Sequence, residues 1–471
     1  MLVENSHSPD VLAEAFVTVD GLMASGKYAR SLSVMLPFVQ SGELDQRLLE
    51  RTADCFFEMR DFASAVGVMR HLTEETPTDA GAWGKLGLML QSQGALAEAA
   101  AAFEEVLKLE PNSIPALTAL NGIETFAVNS LYAQRLLSLS EREDMAPAHR
   151  ALVHHALAQI AHAAGEVDVA FTLFQSARSE VAGPFAPAIF AEMVAEQEQM
   201  FEPRPASEDA TLLPKLVFIG GMPMAGVGLV ERVLSQHPGV FSVGENTALS
   251  RTHGAIRMHL AKTNRSCNYW DWLDQLTHEE VDIFRQYYLE RALGGQVAGG
   301  KTIVDAHPLG CLEFGLAQFL FPEAKFIFMS RHPMETALAN VASNVLNGNA
   351  LASRPEWIAQ VTRNVYSSIN DYAQKLGNAL RLQSYANLVA RPEEQIALLL
   401  DHSGLDFEAG CLSPAPLCNI DAISDMLGHE ELTTATQGHW ETYAEHLKPV
   451  YDALGGARWI EAWEAFDKEL R

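Results

Sequence analysis

The 471-residue chain is short of basic residues, of cysteine and of long apolar runs, and each shortage removes a class of function. Its 33 Lys and Arg stand against 60 Asp and Glu, a formal charge of −27. That balance argues against nucleic acid or an anionic membrane as a general partner, because such surfaces are bound by a cationic excess that releases counterions. The five cysteines, Cys55, Cys267, Cys311, Cys411 and Cys418, are odd in number and scattered, which speaks against a disulfide framework. Cys411 and Cys418 lack metal-ligand spacing, and no metal is expected. No apolar stretch nears the roughly 18 residues of a membrane span, and no charged segment with a following apolar core opens the chain. A cytoplasmic protein of two or three domains is the expectation.

What the chain does have is repetition. In residues 80–113, Trp83, Leu86, Gly87, Leu90, Gly94, Ala99, Phe103 and Pro111 fall at the offsets of a tetratricopeptide repeat, a helical pair of about 34 residues. One repeat earlier the register gives Leu49, Ala53, Phe56, Ala65, Met69 and Pro77, and one earlier again Ala15, Leu22, Gly26, Ser31 and Met35. A further unit fits Leu157, Ala158, Ala161, Gly165, Ala170, Phe174 and Ala177, whereas 114–147 stays helical in pattern without the signature. Small residues at these offsets let paired helices approach, and Trp83, Phe103 and Phe174 read as core. The expected partner is a protein or peptide on the concave face of the solenoid.

Residues 200–215 carry three prolines and no apolar period, so they read as a linker between a repeat domain over 12–199 and a second domain over 216–471. Strands are expected at 216–220, 240–243, 302–305, 325–329 and 380–385, separated by helical patterns. That alternation predicts an α/β domain with a parallel sheet. After the first strand comes Gly221-Met-Pro-Met-Ala-Gly226-Val-Gly-Leu229, a Gly-rich turn leading into an amphipathic helix. The spacing Gly221-x4-Gly226 is that of a phosphate loop, but Val227 and Gly228 occupy the Lys and Ser/Thr positions of a Walker A motif, which disfavours nucleotide hydrolysis.

The stretch is similar to the phosphosulfate loop of sulfotransferases, keeping Gly221, Pro223, Gly226, Leu229, Ser235, His237 and Pro238. Further ordered segments resemble the tyrosylprotein-sulfotransferase-like domains that bacteria fuse to tetratricopeptide repeats. These are Gly244-Glu245, Asp305-Ala-His-Pro308, the strand leading to Arg331-His-Pro333, Tyr385-Ala-Asn-Leu-Val389, and Gly438-His-Trp440 through Tyr443 to Pro449. The resemblance implies a P-loop-type fold and the donor 3′-phosphoadenosine-5′-phosphosulfate (PAPS). It also implies Glu245 as the base that takes the acceptor proton, with Gly221, Pro223, Gly226, Val227, Gly228, Leu229, Arg331 and His429 about the nucleotide.

Several side chains depart from that pattern. Met224, Ala225, Val227 and Gly228 replace the loop's Arg, Ser, Thr and Thr, Ala306 replaces a Lys, Ala339 a Ser, and His429 an Arg. Two functions remain open on the sequence. One is sulfuryl transfer from PAPS to a hydroxyl of a peptide, protein or glycan. The other is a catalytically inactive relative whose pocket and repeats serve binding. The run Arg251, His253, Arg257, His259 and Lys262 reads as a solvated helix face, and Trp440 and Tyr443 as core or lid packing.

Overall fold

The computed structural model describes residues 9–40, 45–205, 213–265, 268–343, 350–413 and 438–470. Contacts divide the chain into two compact units, the first built mainly on residues up to Glu141 and the second mainly on residues from Arg142 onward.

The first unit is helical: α1 (Pro9–Ala24), α2 (Tyr28–Gln40), α3 (Gln46–Glu58), α4 (Phe62–Glu75), α5 (Ala80–Gln93), α6 (Leu96–Leu109), α7 (Ile114–Ile123) and α8 (Leu131–Ser140). Aspartates start three of them. Asp45, Asp61 and Asp79 accept hydrogen bonds from Leu48, Ser64 and Gly81 N–H groups that the helix itself leaves unpaired. Gly94, at φ +91°, ends α5 in the left-handed region. The small residue in the middle of the repeat has a packing cause, since a Cβ at Gly87 would lie 2.6 Å from the Phe103 ring. Phe103 is thereby buried, while Trp83 stays partly exposed with its Nε1 donating to the Pro77 carbonyl at 3.0 Å.

The second unit opens with α9 (Pro147–Ala163), α10 (Val167–Glu180) and α11 (Ala188–Met200). Then follow β1 (Leu216–Gly221), α12 (Val227–Ser235), β2 (Val240–Gly244), α13 (Ala248–Lys262), α14 (His278–Leu293), β3 (Thr302–Ala306), α15 (Phe314–Leu320), β4 (Lys325–Ser330), α16 (Pro333–Ala342) and α17 (Pro355–Leu376). The unit closes with β5 (Leu380–Ser384), α18 (Tyr385–Ala390), α19 (Pro392–His402), α20 (His439–Thr442), α21 (Ala444–Leu454) and α22 (Ala457–Glu469). The sheet is parallel in the order β2-β3-β1-β4-β5. β1 is buried along its whole length, which explains why Leu216-Val-Phe-Ile219 is continuously apolar. From β1 the chain fills one side of the sheet and then crosses to the other, so the loop after β1 lies at the switch point where open α/β sheets bind ligands.

The hairpin of α9 and α10 has repeat spacing, yet its core is shared with the second unit. Phe171 and Phe174 pack in one cluster with Met334, Leu338, Tyr443 and Leu447. Packing thus separates the units near residue 141, ahead of the proline-bearing linker, and the hairpin's apolar face is buried by α16 and α21 of its own unit. Among the described residues no helix is long and apolar enough to cross a membrane.

Candidate functional site

Four strand ends build the site. At the end of β1, Met224 takes φ +69° and Gly226 φ +98°, and Gly226 is the cap from which α12 starts. The first return bond of that helix is Val230 N to the Gly226 carbonyl, 3.3 Å, so the N–H groups of Val227, Gly228 and Leu229 precede the intrahelical ladder and can hold an anion. The loop is anchored from beneath by donors to its carbonyls. Asn340 Nδ2 reaches the Pro223 oxygen at 2.8 Å and Arg331 Nη1 the Met224 oxygen at 3.1 Å. A Cβ at Gly226 would lie 2.7 Å from the Tyr385 ring, and that same ring carries the Arg331 guanidinium 4.4 Å from its centroid. Gly226 is therefore required both by φ and by the aromatic that positions Arg331.

Side chains along the loop are largely turned inward. Ala225 and Val227 are 2% and 4% exposed, Ala306 at the end of β3 is 2% exposed, and Arg331 at the end of β4 is 4% exposed, its pKa lowered by burial. The loop glycines and backbone amides fit a phosphate. The buried methyls at 225, 227 and 306 offer it no donor. His429 lies outside the described residues.

Glu245 follows β2 with its side chain 62% exposed, and His307 Nδ1 lies 3.8 Å from its Oε1. Burial lowers the His307 pKa, partly offset by Glu313. The start of α13 is served by Asn246, whose Oδ1 accepts from the Ala248 N–H at 2.8 Å. His307 also borders a cavity of about 320 Å³ whose walls include Met193, Leu312, Gly254 and Arg257. A buried network floors it. Glu313 accepts from the Ser250 hydroxyl at 2.6 Å and pairs with His253 Nδ1 at 3.0 Å, and His253 Nε2 meets the Tyr269 carbonyl at 2.9 Å. Burial pushes the Glu313 carboxyl up, but the His253 bond and charge and the Ser250 hydroxyl outweigh it and hold the group below its ordinary value.

The expected solvated face of α13 needs correction here. His253 is 2% exposed and tied to Glu313, and only part of that run faces water. The sequence signal was present: Leu249, Thr252, His253, Ile256 and Leu260 form the buried stripe at helical spacing. Glu313 was missed altogether, since it sits in a short 3₁₀ turn with no motif about it.

Asp305, one residue before Ala306, is buried and accepts from Tyr288 Oη at 2.7 Å and Asn246 Nδ2 at 3.1 Å. Burial outweighs these bonds and raises its pKa to about 7. The folded state therefore holds this proton more tightly than the unfolded one. The resulting stability is full below the ordinary value of 3.8 and is lost as pH rises to about 7. Asp305→Asn should lose that dependence, so its melting temperature relative to wild type should climb between pH 4 and 7; a constant difference across that range would contradict the assignment.

Residues 214–409 match the family model described as "Sulfotransferase family", and residues 51–114 that of a tetratricopeptide repeat. The second unit carries a sulfotransferase-family domain. Protein-tyrosine sulfotransferase 1 of Danio rerio is 24% identical over 186 residues, 39% of this chain and 52% of that protein. An uncharacterized protein of Aquifex aeolicus (strain VF5) is 25% identical over 250 residues, 50% of this chain and 32% of that one. The chain thus spans between a third and about half of these relatives' lengths. Among solved structures, the sulfotransferase domain from the Synechococcus PCC 7002 olefin synthase covers 48% of this chain and 88% of its own, at 20% identity and TM-score 0.33. A helical repeat region followed by a sulfotransferase-family domain with a five-stranded parallel sheet is the architecture of this chain.

Proposed function

We propose that the sulfotransferase-family domain transfers a sulfuryl group from PAPS to a hydroxyl of a peptide, protein or glycan acceptor, with the first three amides of α12 and Arg331 as its donor contacts. One observation carries this reading. The glycine-capped start of α12 lies at the same sheet edge as Glu245 after β2 and Arg331 after β4. PAPS supplies the activated sulfuryl group. Glu245 receives the acceptor proton as the hydroxyl oxygen bonds to sulfur and the bond from sulfur to the phosphate oxygen breaks. The α12 amides, preorganised by the anchors at Pro223 and Met224, stabilise charge on the departing phosphate. Gly221, Pro223 and Gly226 shape the loop, and the cavity bordered by His307 is the acceptor side. The repeats of the first unit hold a protein or peptide.

A second reading rests on the inward-turned loop. With Arg331 donating to the Met224 carbonyl and methyl groups at 225, 227 and 306, the domain binds without catalysing. Incubation with ³⁵S-labelled PAPS and a panel of tyrosine peptides and glycans separates the two. Label in an acceptor supports transfer, and label in none of them supports the second reading.

A further inference from the structure

Arg178, on α10, is 2% exposed and, among the described residues, pairs with no carboxylate. Burial lowers its pKa to about 9. A cation kept in such a place must be held by strong dipoles. Its Nε donates to the Val341 carbonyl at 3.2 Å, and its Nη2 to the carbonyls of Asn340 and Ser343 and to the Ser343 hydroxyl at 2.6 Å. These carbonyls belong to the last turn of α16 and the residue after it, where a helix leaves its acceptors unpaired and its dipole favours positive charge.

The grip continues toward the loop after β1. Asn340, whose carbonyl Arg178 holds, gives its own Nδ2 to the Pro223 carbonyl. At the other end of α16, His332 stacks on Trp440 at 5.3 Å, and Trp440 N donates to Glu335 Oε1 at 3.1 Å. The α9–α10 hairpin meets the segment that follows Trp440, because His162 Nδ1 and Tyr443 Oη are 2.6 Å apart and Phe171 stacks on His446 at 4.6 Å. α16 is held at its end by Arg178 of the hairpin and at its start by Trp440, whose following segment the hairpin touches, and it carries the side chain that fixes the loop.

We infer that Arg178 is a positioning residue for the α12 phosphate loop, and that the α9–α10 hairpin, although it has repeat spacing, is a brace for that loop rather than a peptide-binding repeat, a role whose nucleotide consequence rests on the donor-site reading above. The chain of contacts is Arg178 to the Asn340 carbonyl, the Asn340 side chain to the Pro223 carbonyl, and Pro223 to the start of α12. The Asn340 side chain holds the Pro223 oxygen at 2.8 Å, so loosening α16 loosens the loop.

Hydrogen exchange read by mass spectrometry tests this without a ligand. In Arg178→Gln the amides of 222–229 and 332–343 should exchange at least tenfold faster, while β1, β3 and α14 keep wild-type protection. Arg178→Lys should recover part of the difference, since an ammonium can still meet carbonyls but not with two nitrogens at once. Asn340→Ala cuts the second link alone, so it should loosen 222–229 with little change at 178 or along α10. It also serves if Arg178→Gln does not fold. Unchanged exchange at 222–229 in folded Arg178→Gln or in Asn340→Ala overturns the inference, as does a uniform rise across the whole unit. Titration with 3′-phosphoadenosine-5′-phosphate separates this from the donor-site reading. If the wild type binds it, Arg178→Gln should weaken binding at least tenfold, and undiminished affinity overturns the positioning role. If the wild type does not bind, the donor-site reading falls, and the exchange result decides the brace by itself.

Discussion

Glu245→Gln should lower the rate of sulfuryl transfer by about 10²- to 10⁴-fold, the range expected when a positioned general base is removed. Affinity for 3′-phosphoadenosine-5′-phosphate should change by less than about twofold in the same variant, because the side chain lies after β2 and outside the α12 loop. The fold should tolerate the change well. Glu245 is 62% exposed, and the start of α13 is served by Asn246. His307, 3.8 Å away, supplies the alternative proton acceptor, so steady-state kinetics on Glu245→Gln and His307→Gln together identify the base. Undiminished transfer in Glu245→Gln with loss in His307→Gln would move that role to His307.

The second large effect is a gain. Five of the replaced donor-site positions lie in the loop and at the end of β3, Met224, Ala225, Val227, Gly228 and Ala306, and only two of these are not fully buried. Ala225, Val227 and Ala306 are buried at 2%, 4% and 2%, and larger groups there would cost about 1–3 kcal/mol each in strain. Met224 and Gly228 are only partly buried. Met224 already sits at φ +69°, so Arg at that position adds no backbone strain that Met does not bear. Met224→Arg with Gly228→Thr should therefore tighten binding of 3′-phosphoadenosine-5′-phosphate. Each charge-assisted contact is worth about 1.5–3 kcal/mol, or about 10- to 100-fold in dissociation constant, before ordering costs. A folded double variant with no gain would show that nucleotide does not reach this loop.

The sheet was legible chiefly because its central strands, β1 and β4, are short apolar runs bounded by glycine, proline or a charge. The strand expected at 325–329 is observed as Lys325–Ser330, and that at 380–385 as Leu380–Ser384. The loop was legible for a similar reason, since Gly226 is needed by its φ wherever the chain turns from strand to helix in this way. What anchors the loop was not. Arg331 was expected to face a phosphate; that its Nη1 donates to a carbonyl of the loop itself, a partner 107 residues earlier, is a contact no local pattern announces. Arg178 meets α16 across more than 160 residues for the same reason. His253 shows a different failure: its charge suggested water, whereas the helical period of α13 placed it inside, and the period prevailed because Glu313 pairs with it there. Around the loop the missing side chains were legible, but the burial of Ala225, Val227 and Ala306 in their place was not.

Calorimetric titration of the full chain with 3′-phosphoadenosine-5′-phosphate tests the central claim most directly, because the spent donor needs no knowledge of the acceptor. The account predicts saturable one-to-one binding with a dissociation constant on the order of micromolar, about −8 kcal/mol, weakened at least tenfold by Arg331→Ala. No heat of binding at millimolar nucleotide, or binding that Arg331→Ala leaves unchanged, would contradict it.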